Sequence, residues 1–99
     1  MSLADDNAQV LRLVQALVGA VSPNFRRVAL EPTAAGVRLW FLLARDEPDD
    51  RDEIDEVAFA FEALQEGPVE VAVEIVCDDR PLEALTLPGR PVYGRREGA

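Results

Sequence analysis

The sequence predicts an α+β fold of order αββαββ, a four-stranded, mostly antiparallel sheet with two helices on one face. Three observations predict it. Two stretches, about 5–20 and 48–66, repeat their apolar residues at three- and four-residue steps, which is the period of a helix with one buried stripe. Residues 69–77 alternate instead, as a strand with one buried face does. Pro and Gly fall at the ends of these stretches or between them, Gly19 near the end of the first, Pro48 at the start of the second and Gly67-Pro68 after it, so each stretch has a boundary. Strands grouped in pairs between helices are characteristic of an α+β layer arrangement.

In the first helix Val10, Leu13, Val14, Leu17 and Val21 form the expected core stripe. Asp5 and Asp6 suit its N-terminus, where carboxylates meet free N–H groups. Gly19 weakens its end, and Ser22-Pro23-Asn24 marks a turn. Phe25 to Glu31 reads as a strand, Pro32 to Gly36 as a hairpin loop, and Val37 to Leu43 as a second strand apolar enough to be central. Pro48 opens the second helix at a position where its missing N–H has no partner to lose. Ile54, Val57, Ala58, Phe61, Leu64 and Gln65 share one face of it, and Gly67-Pro68 stops it. In the third strand Val71, Val73 and Ile75 are expected to pack on Val57 and Phe61. Asp78 to Gly89 is a loop or short helical turn, and Arg90 to Arg96 an edge-like strand.

The 99 residues fit one domain, 1–99, and 48% hydrophobic residues are enough for a folded core. A net charge of −9 argues against binding nucleic acid, which needs surplus Lys and Arg to neutralise phosphates. There is no His, no Lys and a single Cys, Cys77. That excludes a Ser–His–Asp triad, a Cys–His pair, a Schiff-base Lys, a His- or multi-Cys metal site and an internal disulfide. The start, Met1 to Asp6, is acidic where a signal peptide is basic, and the longest apolar stretch, Val10 to Val21, is far too short to span a bilayer. A cytoplasmic protein with no membrane partner and no cofactor is the expectation.

Charge is distributed unevenly. Residues 1–45 carry +2, residues 46–79 carry −13 and residues 80–99 carry +2. Eight acids, from Asp46 to Glu56, fall within eleven residues. Helix capping accounts for some of them, at about 0.3–1 kcal/mol each. The rest repel one another, so they are either a solvated face or a surface that a basic partner covers. The run does not fit an EF-hand, because Pro48 and Arg51 stand where a ligand and a Gly are required. Phe59 lies roughly 140° from Ile54 on the helical wheel, among Asp52, Asp55, Glu56, Glu62 and Glu66. An aromatic ring rimmed by charge has the composition of an interface anchor, unless a C-terminal segment folds over it or the ring is simply exposed. Trp40 faces away from Leu39 and Phe41 on the second strand and is read as core. Nothing in the sequence supplies an activating partner for Ser22, Cys77 or Tyr93, and a glycosidase-like carboxylate pair needs a deep cleft.

Several soft motifs run through the chain. They are Leu17 to Arg26 (Leu-Val-Gly-Ala-Val-Ser-Pro-Asn-Phe-Arg), the strand with Trp40-Phe41, the Glu47-Pro48 opening of an acidic helix, Phe61-Glu62-Ala63, and Val92-Tyr93-Gly94-Arg95-Arg96-Glu97. Together they resemble the small bacterial immunity proteins of contact-dependent growth inhibition and related polymorphic toxin systems. The resemblance implies a cytoplasmic protein that binds and blocks a cognate toxin, often a nuclease, and it assigns no binding residues. Joined to the charge pattern, it makes Asp52, Asp55, Glu56, Phe59, Glu62 and Glu66 the candidate surface for a toxin with a basic face. The competing readings are an adaptor or self-associating module using an open sheet face, and a small carboxylate enzyme.

Overall fold

In the computed structural model, which describes residues 3–97 and side chains from residue 5 on, the order is helix α1 (Leu3–Leu17), strands β1 (Phe25–Pro32) and β2 (Gly36–Leu43), helix α2 (Pro48–Ala63), strand β3 (Glu70–Cys77), a single 3-10 turn (Leu82–Ala84) and strand β4 (Arg90–Gly94). Met1 and Ser2 of the acidic start lie outside the described residues. The strands lie in the order β3-β2-β1-β4. β1 pairs antiparallel with both β2 and β4, and β3 runs parallel to β2 through the α2 crossover. The predicted class and element order therefore hold, and the sheet is mixed, with one parallel pairing.

Register explains the core. Val28 lies opposite Phe41 and Leu30 opposite Leu39, while Leu39 and Phe41 lie beside Val73 and Ile75. This face meets Leu13 and Leu17 of α1 and Ile54, Val57 and Phe61 of α2, all buried. Phe25 and Phe41 meet edge to face, with ring centroids 6.2 Å apart. The β1–β2 hairpin turns at residues 33–35, and Gly36 then enters β2 where its backbone closely approaches Glu70; a Cβ there would strike the Glu70 carbonyl. Val71, Val73 and Ile75 pack on the core cluster as expected, but β3 is an edge strand and they are only half-buried. Val73→Asp is accordingly expected to cost about 1–3 kcal/mol, the lower part of the range for a carboxylate placed against a core. A denaturant midpoint equal to that of the unchanged protein would show that residue 73 does not face the helices.

Two expectations change. Val14 is not core: α1 buries Leu13 and Leu17, and Val14, set 100° around the helix from Leu13, is 45% exposed. Trp40 is half-buried on the face away from the helices, where its indole N–H donates to Glu31 at 3.0 Å. That face is not open throughout. Because β3 and β4 are opposite edges, residues 78–89 must cross from one to the other. Leu82, Leu85 and Leu87 pass over Arg27, Leu42 and Val76 and enclose a cavity of about 190 Å³. The crossing hides Leu42, which is 2% exposed.

Arg26 fastens the end of this path. It is 2% exposed, donates to the Asp78 carbonyl at 2.7 Å and pairs with Glu97 at 2.8 Å. Arg95 also binds Glu97, at 2.6 Å, and the Pro23 carbonyl at 2.7 Å. The Arg26 guanidinium, then that of Arg95, holds the Glu97 carboxyl down at about 2. Arg80 likewise holds Asp78 at about 2.

Candidate functional site

The acidic helix is positioned by a buried polar clasp. Pro48 takes the first helical position, as its chemistry predicts, and Glu47 is the N-cap residue in extended conformation. Glu47 makes no side-chain capping bond and pairs instead with Arg45 at 3.1 Å. Asp50 turns inward and is 7% exposed. It accepts from Ser22 Oγ at 2.8 Å and from Asn24 Nδ2 at 2.8 Å. The same Asn24 amide donates to the Arg45 carbonyl and accepts from the Arg45 N–H. The Ser22-Pro23-Asn24 turn thus ties the first turn of α2 to the β2–α2 loop. No periodicity could reveal this, since the only sequence signal is three turn-forming residues and one Asp in an acidic run.

Arg51 pairs with Asp46 and holds its carboxyl below the usual range. With Asp46, Glu47 and Asp50 so partnered, the charge left on α2 lies on its outer side. Asp52, Asp55, Glu56, Phe59 and Glu62 are all exposed. At 100° per residue they span an arc of roughly 120° centred on Phe59. That arc is opposite Ile54, Val57 and Phe61, which are buried. Phe59 is 75% exposed, with no segment among the described residues folded over it, and borders a shallow depression with Glu62 and Ala63. Glu66 stands apart from the other five. The helix ends at Ala63, so Glu66 belongs to the following turn and leans toward Arg12 of α1 at 3.9 Å.

The arrangement offers a convex, negatively charged surface with one apolar side chain at its centre. Among the described residues no group of three or more acidic or Cys side chains converges where a metal ion could be held. No helix among them is long and apolar enough to cross a membrane.

Residues 6–97 match the family of MafI2 immunity proteins. The chain belongs to the MafI2 immunity protein family. The match takes in α1 from residue 6, all of α2, all four strands and the clasp, so it concerns the fold and not one motif. No curated protein matches the chain. For a MafI2 immunity protein the expected partner is a cognate toxin, and a non-enzymatic role follows more naturally than a catalytic one. The resemblance to immunity proteins of polymorphic toxin systems, read from the soft motifs, agrees with this family.

Proposed function

We propose that this MafI2 family protein neutralises its toxin, in the cytoplasm, by laying the outer face of α2 over a basic groove of the toxin. The observation that carries the reading is Phe59, 75% exposed at the centre of Asp52, Asp55, Glu56 and Glu62. An apolar anchor within a charged rim is the composition of a protein interface whose centre is desolvated. A basic groove is what a nuclease presents to its substrate, so covering it blocks the substrate sterically and by charge. Glu66 contributes at the margin, because Arg12 already shares its charge. Neither nucleic acid nor a membrane is a partner in this reading, and no cofactor or catalytic step is involved. The toxin in this reading belongs to a polymorphic toxin system, and the MafI2 family match supports one of the Maf type.

The test is binding kinetics against the cognate toxin domain, at low and high salt. Replacing Asp55 and Glu56 by Asn and Gln should mainly slow association, and the slowing should fade as salt rises, since the screening length is about 8 Å at physiological ionic strength. Phe59→Ala should raise the dissociation rate by roughly 5- to 150-fold, the equivalent of losing about 1–3 kcal/mol of anchor contact. Salt-independent association, with no loss from Phe59→Ala, would move the interface off α2. The exposed Glu70 and Glu74 of β3 would then mark the next surface to probe.

A further inference from the structure

The cavity on the sheet face away from the helices contains an unmatched charge. Arg27, Leu42 and Val76 form a row across three strands, Arg27 opposite Leu42 and Leu42 beside Val76. Residues in such a row point to one face of the sheet. Leu82, Leu85 and Leu87 of the crossing close over them and leave about 190 Å³. On its other side Arg27 lies opposite Gly94, which has no side chain to meet it. Among the described residues, seven of the ten Arg side chains pair with a carboxylate, and Arg90 donates to Asn7. That leaves Arg96, which is exposed, and Arg27, which is half-buried. A half-buried guanidinium without an acceptor is costly in any chain, and a chain with 19 acids has many acceptors to offer it.

We propose that this cavity binds a small organic monocarboxylate, its head on Arg27 and its apolar body beneath the crossing. Charge selects the head group. Asp78 and Arg80 also line the cavity, but they hold each other at 2.7 Å, and neither Asp79 nor Glu83 lines it. One free guanidinium matches one carboxylate, and a phosphate dianion would keep a second charge unpaired against leucine side chains. The apolar lining selects the body. Leu42, Val76, Leu82, Leu85 and Leu87 offer nothing to a polar group, and the ammonium of a free amino acid would find Asp78 already taken. Volume sets the size. An apolar cavity of about 150 Å³ takes a benzene molecule. The 190 Å³ here therefore suits about eight non-hydrogen atoms, as in a six-carbon acid. Arg80 and Thr86 are exposed members of the lining, so the cavity opens to solvent on their side.

The site lies across the sheet from α2, and the proposal stands whether or not α2 meets the toxin. Titration of the intact, isotope-labelled protein with sodium hexanoate to about 20 mM, at fixed ionic strength, tests it through amide chemical shifts. The amides of Arg27, Leu42, Val76 and residues 82–87 should shift saturably, with a dissociation constant of about 1 mM, ordinary for so small a ligand. Acetate, which lacks the chain, and hexanol, which lacks the charge, should each bind at least about 10-fold more weakly. Arg27→Met should weaken hexanoate by at least about 10-fold, and Arg27→Lys, which keeps the charge without the planar fork, by less. The melting temperature of the Arg27→Met protein should not fall, since no partner is lost. Absence of a saturable shift overturns the proposal. So does hexanol bound as tightly as hexanoate, which would make the cavity a plain apolar void, or full affinity in Arg27→Met. Shifts confined to exposed arginines such as Arg45 and Arg96, or a melting temperature lowered by Arg27→Met, would overturn it equally.

Discussion

Replacing Asn24 by Ala lowers the stability of the protein by about 2–4 kcal/mol, the loss expected when a satisfied buried polar network is opened. Asn24 is 8% exposed, and its side chain makes three hydrogen bonds, two to the Arg45 backbone and one to Asp50. The substitution removes the donor that faces a carboxylate 7% exposed to solvent, and it leaves the Arg45 N–H without its acceptor. Ser22 alone then holds Asp50. Because the clasp sets the first turn of α2, the effect should also reach the outer face of that helix. Urea unfolding measures the stability, and slowed capture of the toxin measures the second effect. An Asn24→Ala protein as stable as the unchanged one would show that Asp50 needs only Ser22.

Arg26→Met should cost about 2–3 kcal/mol at neutral pH, less than for a fully enclosed pair because Glu97 keeps 25% of its surface in water. The methionine can fill the space of the alkyl stem but cannot donate to the Asp78 carbonyl or to Glu97. Acid gives an independent signature. The Glu97 carboxyl is held at about 2, below its ordinary 4.5, so the pair stabilises the fold in full above 4.5. That contribution falls away as the pH drops from 4.5 toward 2. The difference between the Arg26→Met protein and the unchanged one should therefore shrink across this window. It should not vanish, because the bond to the Asp78 carbonyl does not titrate. Denaturant midpoints at pH 7, 4 and 2.5 would show it, and a difference constant over all three would assign the cost to the Asp78 bond and packing, with no part from the Glu97 pair.

Elements whose residues meet the core at a regular period were legible in the sequence. The stripe Ile54, Val57, Phe61 and the alternation Val71, Val73, Ile75 are buried or half-buried as their spacing requires. Where local pattern left two apolar faces, only tertiary structure could choose between them. Val14 lies beside Leu13 in sequence and outside the core in space, and Trp40 sits on the sheet face away from the helices. The parallel pairing of β3 with β2 was hidden because strand direction depends on how α2 returns the chain. At the candidate site, the exposure of Phe59 and its acidic neighbours was readable from a helical wheel. The clasp and the Arg26 anchor were not, since they join residues 21 to 71 positions apart that carry no shared signal.

The crossing of residues 78–89 also bears on the order in which the molecule assembles. β1 and β2 are joined by a short turn and can pair as soon as both have been made. β4 pairs with β1 across more than fifty intervening residues, and it can do so only after the chain has passed over Leu42 and Val76. Closing so long a loop is slow compared with forming a hairpin. Until residues 90–97 dock, Arg26 has no Glu97, and β1 presents a bare edge to other chains. The β1–β4 pairing is therefore among the most non-local contacts of the sheet, and the hairpin is the local one. The β4 edge, with the Glu97 that Arg26 requires, is thus the part of the sheet whose completion depends on the whole length of the chain between residues 33 and 89.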